Sequence, residues 1–337
     1  MSISRRHFLK ASVGSAALAS SPAAMAQVVA GSKVQKRKFG RHDDLVSVVG
    51  IGGHTLYLSG SQDDANEICA KAIDHGINFF DNAWCYHDNE AEVYMGNALK
   101  GKRDKAFLMT KLCPYHIGKR DLVPTLAGSM KGIEDSLRRL KTDHLDLLMM
   151  HQVSHDDVKD AYRNEGAIEA LELAKQQGKI RYAGFTGHSD PKIHIEMIEQ
   201  GYEWDAMLIP ISAQNAMNSR AFEKVIPLCG EKGIAVFGMK GFGGSRRTNL
   251  HKKTTVEEVL RYSLSYEPVC TQLIGIDRLE FLDKAIVAGS TIQPMSAKER
   301  GAYASVNEPT EQNYAELMYG ETVYHAGCHQ DCSHSRA

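Results

Sequence analysis

The chain has 337 residues, 43% of them hydrophobic and 24% charged. That balance suits one large packed core and excludes global disorder, and a formal net charge of -1 offers no basic excess to bind nucleic acid. Seven cysteines are too sparse for a disulfide scaffold.

Residues 1–26 read as an export signal. Ser4-Arg5-Arg6-His7-Phe8-Leu9-Lys10 resembles the twin-arginine consensus, a run of small apolar residues follows from Ala11 to Ala19, and Ala24-Met25-Ala26 suits cleavage before Gln27. The expectation is a periplasmic protein whose export partner is the twin-arginine machinery. Loss of Arg5, Arg6 and Lys10 leaves the mature chain mildly acidic. No stretch of it is apolar enough for a membrane span.

Val34–Phe39 and Leu45–Val49 flank Gly40-Arg41-His42-Asp43-Asp44, which predicts a β-hairpin. From residue 45 onward short β-rich runs alternate with helical patterns. The predicted strands are Leu45–Gly50, Ile77–Ala83, Ala106–Leu112, His144–His151, Ile180–Thr186, Ala206–Ser212, Ile234–Lys240 and Gln272–Ile276. Helical patterns cover 63–75, 90–99, 121–140, 164–177, 191–200, 219–232, 255–265 and 278–288. Runs such as Leu145–Met150 are almost continuously apolar, as parallel strands covered on both faces should be. Eight strands alternating with eight helices predict an α/β fold, a (β/α)8 TIM barrel spanning 34–295 with the hairpin at its N-terminal end. An open doubly wound sheet competes, but Gly50-Ile51-Gly52-Gly53 after the first strand lacks the third glycine of a dinucleotide fingerprint. Residues 296–337 form a C-terminal extension, helical over 296–319 and then polar.

In a parallel barrel the chemistry gathers at the C-terminal ends of the strands. Here the second strand ends in Asp81 with Tyr86 five residues on, the third in Thr110-Lys111, and the fourth in His151. Singly, each has a bland explanation as a cap, a solvated strand end or a satisfied core histidine. Together, a buried Lys beside an Asp, a Tyr and a His make a candidate site.

Gly76-Ile77-Asn78-Phe79-Phe80-Asp81-Asn82-Ala83-x-x-Tyr86, followed by Glu90 and Gly96, resembles the signature of the aldo-keto reductases. Thr110-Lys111, Leu145-Asp146-Leu147 with His151, and Gly178-Lys179-Ile180-Arg181-x-x-Gly184 with His188 resemble that family's next blocks in order, from about residue 36 to about 290. The resemblance implies a (β/α)8 barrel and hydride transfer between a nicotinamide nucleotide, NADP with NAD possible, and a small carbonyl or alcohol substrate. It implies Tyr86 as general acid, Lys111 and Asp81 tuning it, and His151 orienting the carbonyl oxygen. A phenol of ordinary pKa about 10 needs such a neighbouring ammonium to donate at neutral pH.

The implied cofactor residues are Gly52, Gly53, Asp81, Thr186, Lys240, Gly241, Phe242, Gly243, Gly275 and Arg278. Thr186-Gly187 stands where the family has Ser-Asn, Leu208 and Ile211 replace a Gln and a stacking Tyr, and Lys284-Ala285 replaces a Glu-Asn pair. Met239-Lys240-Gly241-Phe242-Gly243-Gly244 offers backbone donors and a charge to a pyrophosphate. Arg278 suits a 2′-phosphate that the adjacent Asp277 would repel.

Other readings stay open. Such a barrel can hold a nucleotide without turnover, as a partner subunit. A metal-dependent hydrolase needs a His pair on the first strand, where His54 stands alone. No metal ligand set is assigned. His325, Cys328, His329, Cys332 and His334 crowd the tail, where metal binding, a Cys328–Cys332 disulfide and disorder are all open. Cys85 is either redox-sensitive or a small buried filler.

Overall fold

The apolar runs end in polar residues at a common level, and this is the pattern that closes on itself. The computed structural model describes residues 22–113, 125–153, 158–159, 161–188, 190–214, 219–242 and 254–307. β1 (Lys36–Lys38) and β2 (Leu45–Ser47) pair antiparallel. Eight strands then form a closed parallel barrel: β3 (Val49–Gly52), β4 (Phe79–Asp81), β5 (Phe107–Leu112), β6 (Leu145–Met150), β7 (Ile180–Thr186), β8 (Ala206–Pro210), β9 (Ala235–Met239) and β10 (Val269–Ile274). Closure comes from β10 against β3, with Gln272 opposite Val49 and Ile274 opposite Ile51. The fold is therefore the (β/α)8 barrel, and the open sheet is excluded.

Boundaries differ from the expectation where local hydrogen bonding intervenes. The Leu45–Gly50 run is two strands. The Ser47 hydroxyl donates to the Val49 carbonyl at 2.7 Å and the Val48 N–H to Gln35, which turns the chain out of the hairpin and into the barrel. The 219–232 helix is split into Ser219–Glu223 and Ile226–Lys232, the second carrying Pro227 in its first turn, where a missing N–H costs nothing. Leu126–Leu140 begins after the Thr125 cap. Of the C-terminal extension, Ala297–Val306 is described, capped reciprocally by Ser296 and Glu299. Gly243, residues 1–21 and the Cys/His tail lie outside the described residues. The expected cleavage point before Gln27 falls within a helix, Pro22–Ala30, whose Val29 is buried against the barrel's outer core.

The hairpin plugs the N-terminal mouth. Phe39 is fully buried, with its ring 5.1 Å from Phe107, 4.8 Å from Tyr182 and 5.9 Å from Phe237, centre to centre. The turn beside it needs glycine: Gly40 has φ +53°, and a Cβ there would lie 2.5 Å from the Gly233 carbonyl oxygen. Above this plug the interior is filled by alternate residues of the strands, such as Phe79, Met109, Leu147 and Met149, and the intervening residues face the helices. The polar site is thus confined to the opposite, C-terminal end.

One histidine couples the packing of the helices to pH. His194 is wholly buried in the helix Pro191–Glu199 against Phe185 and Phe222, and desolvation pulls its pKa down to about 4. The unfolded chain takes up this proton near pH 6.5 and the folded chain near 4, so the stability it supports is complete above 6.5 and lost as pH falls through that window. Urea unfolding of wild type should show a decline of about 3 kcal/mol between pH 7 and pH 4 from this group. His194→Gln should flatten that part of the curve, and an unchanged slope would remove His194 as its source.

Candidate active site

Strand alternation explains why Lys111 reaches the site. On β5, Thr110 points outward and donates to Glu92 at 2.6 Å, so Lys111 must point inward, where it is 1% exposed. Its ammonium donates to the Asp81 carboxylate at the end of β4, to the Asn82 carbonyl at 2.7 Å, and to the Tyr86 hydroxyl oxygen at 3.4 Å. Burial pushes the Asp81 carboxyl above the usual carboxylate range, against the opposing pull of Lys111 and, more weakly, of Lys240.

Tyr86 is held by an unusual loop. His87, Asp88 and Asn89 follow with φ of 49°, 53° and 79°, three consecutive left-handed residues without a glycine. Such a run is strained and persists only where its surroundings fix it. Here His87 Nε2 meets the His54 carbonyl oxygen at 2.9 Å, and Asn89 Nδ2 donates to the Trp84 carbonyl. The Tyr86 ring then stands edge-on to His54 at 5.4 Å and to His151 at 5.7 Å, with Lys111 Nζ 5.0 Å from its centre. Trp84 is backed by Arg139, which pairs with the fully buried Glu92 at 2.6 Å. The structure thus brings together Asp81, Tyr86, Lys111 and His151.

A feature that sequence spacing concealed lies behind His151. Cys113, one residue past β5, places its sulfur 2.7 Å from His151 Nδ1 and 2.6 Å from Cys85 Sγ, and Cys85 Sγ lies 3.4 Å from the same nitrogen. Cys113 stands two residues beyond Lys111 on the same inward-facing alternation, which was the only available signal.

The residues expected to bind a cofactor divide. Lys240, in a left-handed conformation after β9, is close enough for its charge to act on Asp81. Arg278 precedes the helix Leu279–Ser290, with Nε 3.1 Å from Asp277 and a largely exposed side chain. Gly52 borders Asp81 and Thr55; Gly275, just past β10, borders Thr55 in the short helix that follows β3. Three others have packing duties. A Cβ on Gly53 would strike the Asn82 amide at 2.5 Å, one on Gly241 would strike Val259 at 2.4 Å, and Phe242 packs against the outer core. The Thr186 hydroxyl donates to the Leu208 carbonyl at 2.8 Å, and Leu208 and Ile211 are buried.

Residues 48–261 match the sequence profile described as the Aldo/keto reductase family. The chain belongs to the aldo/keto reductase family. It is 32% identical over 206 residues to a Bacillus subtilis protein named uncharacterized oxidoreductase YqkF, covering 60% of this chain and 63% of that one. It is 29% identical over 227 residues to methylglyoxal reductase YeaE of Escherichia coli, covering 64% and 72%. It is 32% identical over 248 residues to an Arabidopsis thaliana probable voltage-gated potassium channel subunit beta, covering 68% and 71%. The holo form of aldo-keto reductase AKR11C1 from Bacillus halodurans superposes with TM-score 0.66 at 27% identity, over 81% of this chain and 96% of that one. This aldo/keto reductase therefore carries its family's barrel, and its four polar residues converge at the end expected of that barrel.

The buried ion pair sets a stability test. Lys111→Met leaves a desolvated carboxylate and should cost about 3–5 kcal/mol at pH 8. The cost should shrink at pH 5, because burial already favours protonated Asp81 and the penalty grows only as pH rises through that pKa. Adding Asp81→Leu should recover most of the loss. Urea titrations of both variants at the two pH values check this.

Proposed function

We propose that this oxidoreductase reduces an aldehyde or ketone to the alcohol with a nicotinamide nucleotide, NADP for preference and NAD as the alternative, and that Tyr86 is the general acid. The observation that carries this reading is the hydrogen-bonded line at the C-terminal end of the barrel from buried Asp81 through buried Lys111 to the hydroxyl of half-buried Tyr86.

The residues present fit the charged half of such a nucleotide. Lys240 lies within electrostatic reach of Asp81, and Arg278 stands exposed at a helix N-terminus, where backbone N–H groups favour phosphate. The ring half is less matched, since Thr186 spends its hydroxyl on Leu208. When bound, the nucleotide supplies the hydride. The chain's own residues do the rest. Lys111 holds positive charge beside the phenol oxygen as Tyr86 gives its proton to the developing alkoxide. Asp81 anchors that ammonium, so no reorganisation is needed as charge develops. His151, edge-on to Tyr86, positions the carbonyl oxygen between the two rings.

Tyr86→Phe should lower turnover of a reactive aldehyde such as methylglyoxal by about 10²–10⁴-fold while NADPH affinity, read by fluorescence titration, stays within twofold. Turnover at the wild-type rate would remove Tyr86 from the chemistry. A second reading, a nucleotide-holding subunit without turnover, draws support from the relative named as a channel subunit. Wild type that binds NADPH and reduces no carbonyl would favour it.

We also propose export by the twin-arginine route to the periplasm, supported by Arg5-Arg6 and the Ala24-Met25-Ala26 site. Arg5→Lys with Arg6→Lys keeps the charge and loses the guanidinium geometry. The double variant should accumulate unprocessed in the cytoplasmic fraction; normal periplasmic accumulation would exclude this route.

A further inference from the structure

Three soft donors from three different barrel strands meet behind the candidate general acid. Cys85 follows β4, Cys113 follows β5 and His151 follows β6, and their two sulfurs and one imidazole nitrogen all lie within 4.8 Å of one another. All three side chains are more than nine-tenths buried. We propose that Cys85, Cys113 and His151 bind one thiophilic divalent cation of the zinc type, through two thiolates and Nδ1, leaving the fourth position to water.

The chemistry of the donors carries this assignment. Two thiolates and one imidazole are a recognised ligand set for zinc with an open coordination position, and such soft donors select thiophilic ions over magnesium or calcium. Charge also balances. Two thiolates cancel a dication, so the occupied site carries no net charge into a buried region, whereas a bare thiolate pair would repel. Binding displaces two thiol protons to solvent and changes no oxidation state.

The other described cysteines show what filler looks like. Cys69, Cys229 and Cys270 are buried among apolar side chains, and desolvation pushes each thiol up to about 12. None of them belongs to a cluster of metal-ligating groups, whereas Cys85 and Cys113 share one with an imidazole.

Distances state what binding requires. With zinc–sulfur near 2.3 Å and zinc–nitrogen near 2.0–2.1 Å, tetrahedral donors stand about 3.5–3.8 Å apart. Here the separations are 2.6, 2.7 and 3.4 Å, so the sulfurs must part by about 1 Å on binding. Cys113 lies one residue past β5 and Cys85 four residues past β4, so the movement required is a change of side-chain torsion outside the strands. The consequence for the neighbouring site is specific: a cation on Nδ1 leaves the remaining ring proton of His151 on Nε2 as a fixed donor.

The test uses the full chain carrying Cys328→Ser and Cys332→Ser, which removes the sulfurs of the tail. The reduced, chelator-stripped protein is titrated with Co²⁺ and then with Zn²⁺, with circular dichroism of every variant as the folding control. The expected result is uptake of one Co²⁺ with a sulfur-to-cobalt charge-transfer band, bleached by one Zn²⁺. Cys85→Ser and Cys113→Ser should each weaken Co²⁺ binding by at least ~10-fold and diminish the band. His151→Gln should weaken binding while the charge-transfer band persists at saturation. If Cys113→Ser fails to fold, Cys85→Ser decides alone. A missing band, a band unchanged by either cysteine substitution, or a reduced chain that takes up no cobalt and closes instead to a Cys85–Cys113 disulfide would each overturn the assignment.

Discussion

The contact on which the candidate site depends is the buried pair between Lys111 and Asp81. An ammonium that is 1% exposed has to be neutralised and hydrogen-bonded, and the Asp81 carboxylate and the Asn82 carbonyl do both. The pair exists only because β4 and β5 run side by side in register, with Asp81 opposite Met109 and Lys111 two residues further along. Everything else at this end of the barrel is arranged around the resulting fixed charge. Tyr86 is bent back to it by three left-handed residues, and His54 and His151 flank the phenol on two edges.

The opposite end of the barrel makes this possible. Phe39 and the hairpin exclude water from the N-terminal mouth, so the apolar layers of the interior can be continuous and the polar residues accumulate at one face. The residues expected to meet a cofactor fall into two groups in the structure. Lys240 and Arg278 retain charge where a diphosphate would want it. Thr186, Leu208 and Ile211 have been drawn into packing and backbone hydrogen bonding. What marks this barrel is the Asp81–Lys111–Tyr86 line standing in front of two thiols, Cys85 and Cys113, that close on His151.

The architecture was legible because it rests on local signals. Continuous apolar runs, helical periodicity between them and a hairpin turn with Gly40 determined the element count and the barrel. Polar residues at run ends determined Asp81, Lys111 and His151 as a set, since strand period places a run's last inward residue at the mouth. Legibility failed where contacts between distant segments set the outcome. Ser47, where one apolar run divides into two strands, accepts from the Asn78 N–H and donates its own N–H to the Asn78 amide oxygen, and Gly53 and Gly241, which read as cofactor-binding glycines, are required by Asn82 and Val259.

The sequence by itself therefore determined the fold class and the family, and placed Asp81, Tyr86, Lys111 and His151 at strand ends, because period and motif are properties of one segment at a time. Only the tertiary structure decided that Cys85, Cys113 and His151 form one cluster, that Thr186 is engaged by Leu208, and that Gly53 makes room for Asn82. The physical reason is closure. Which residues of neighbouring strands stand together at the mouth is fixed by the register of eight parallel pairings around a ring, and no single strand carries that information.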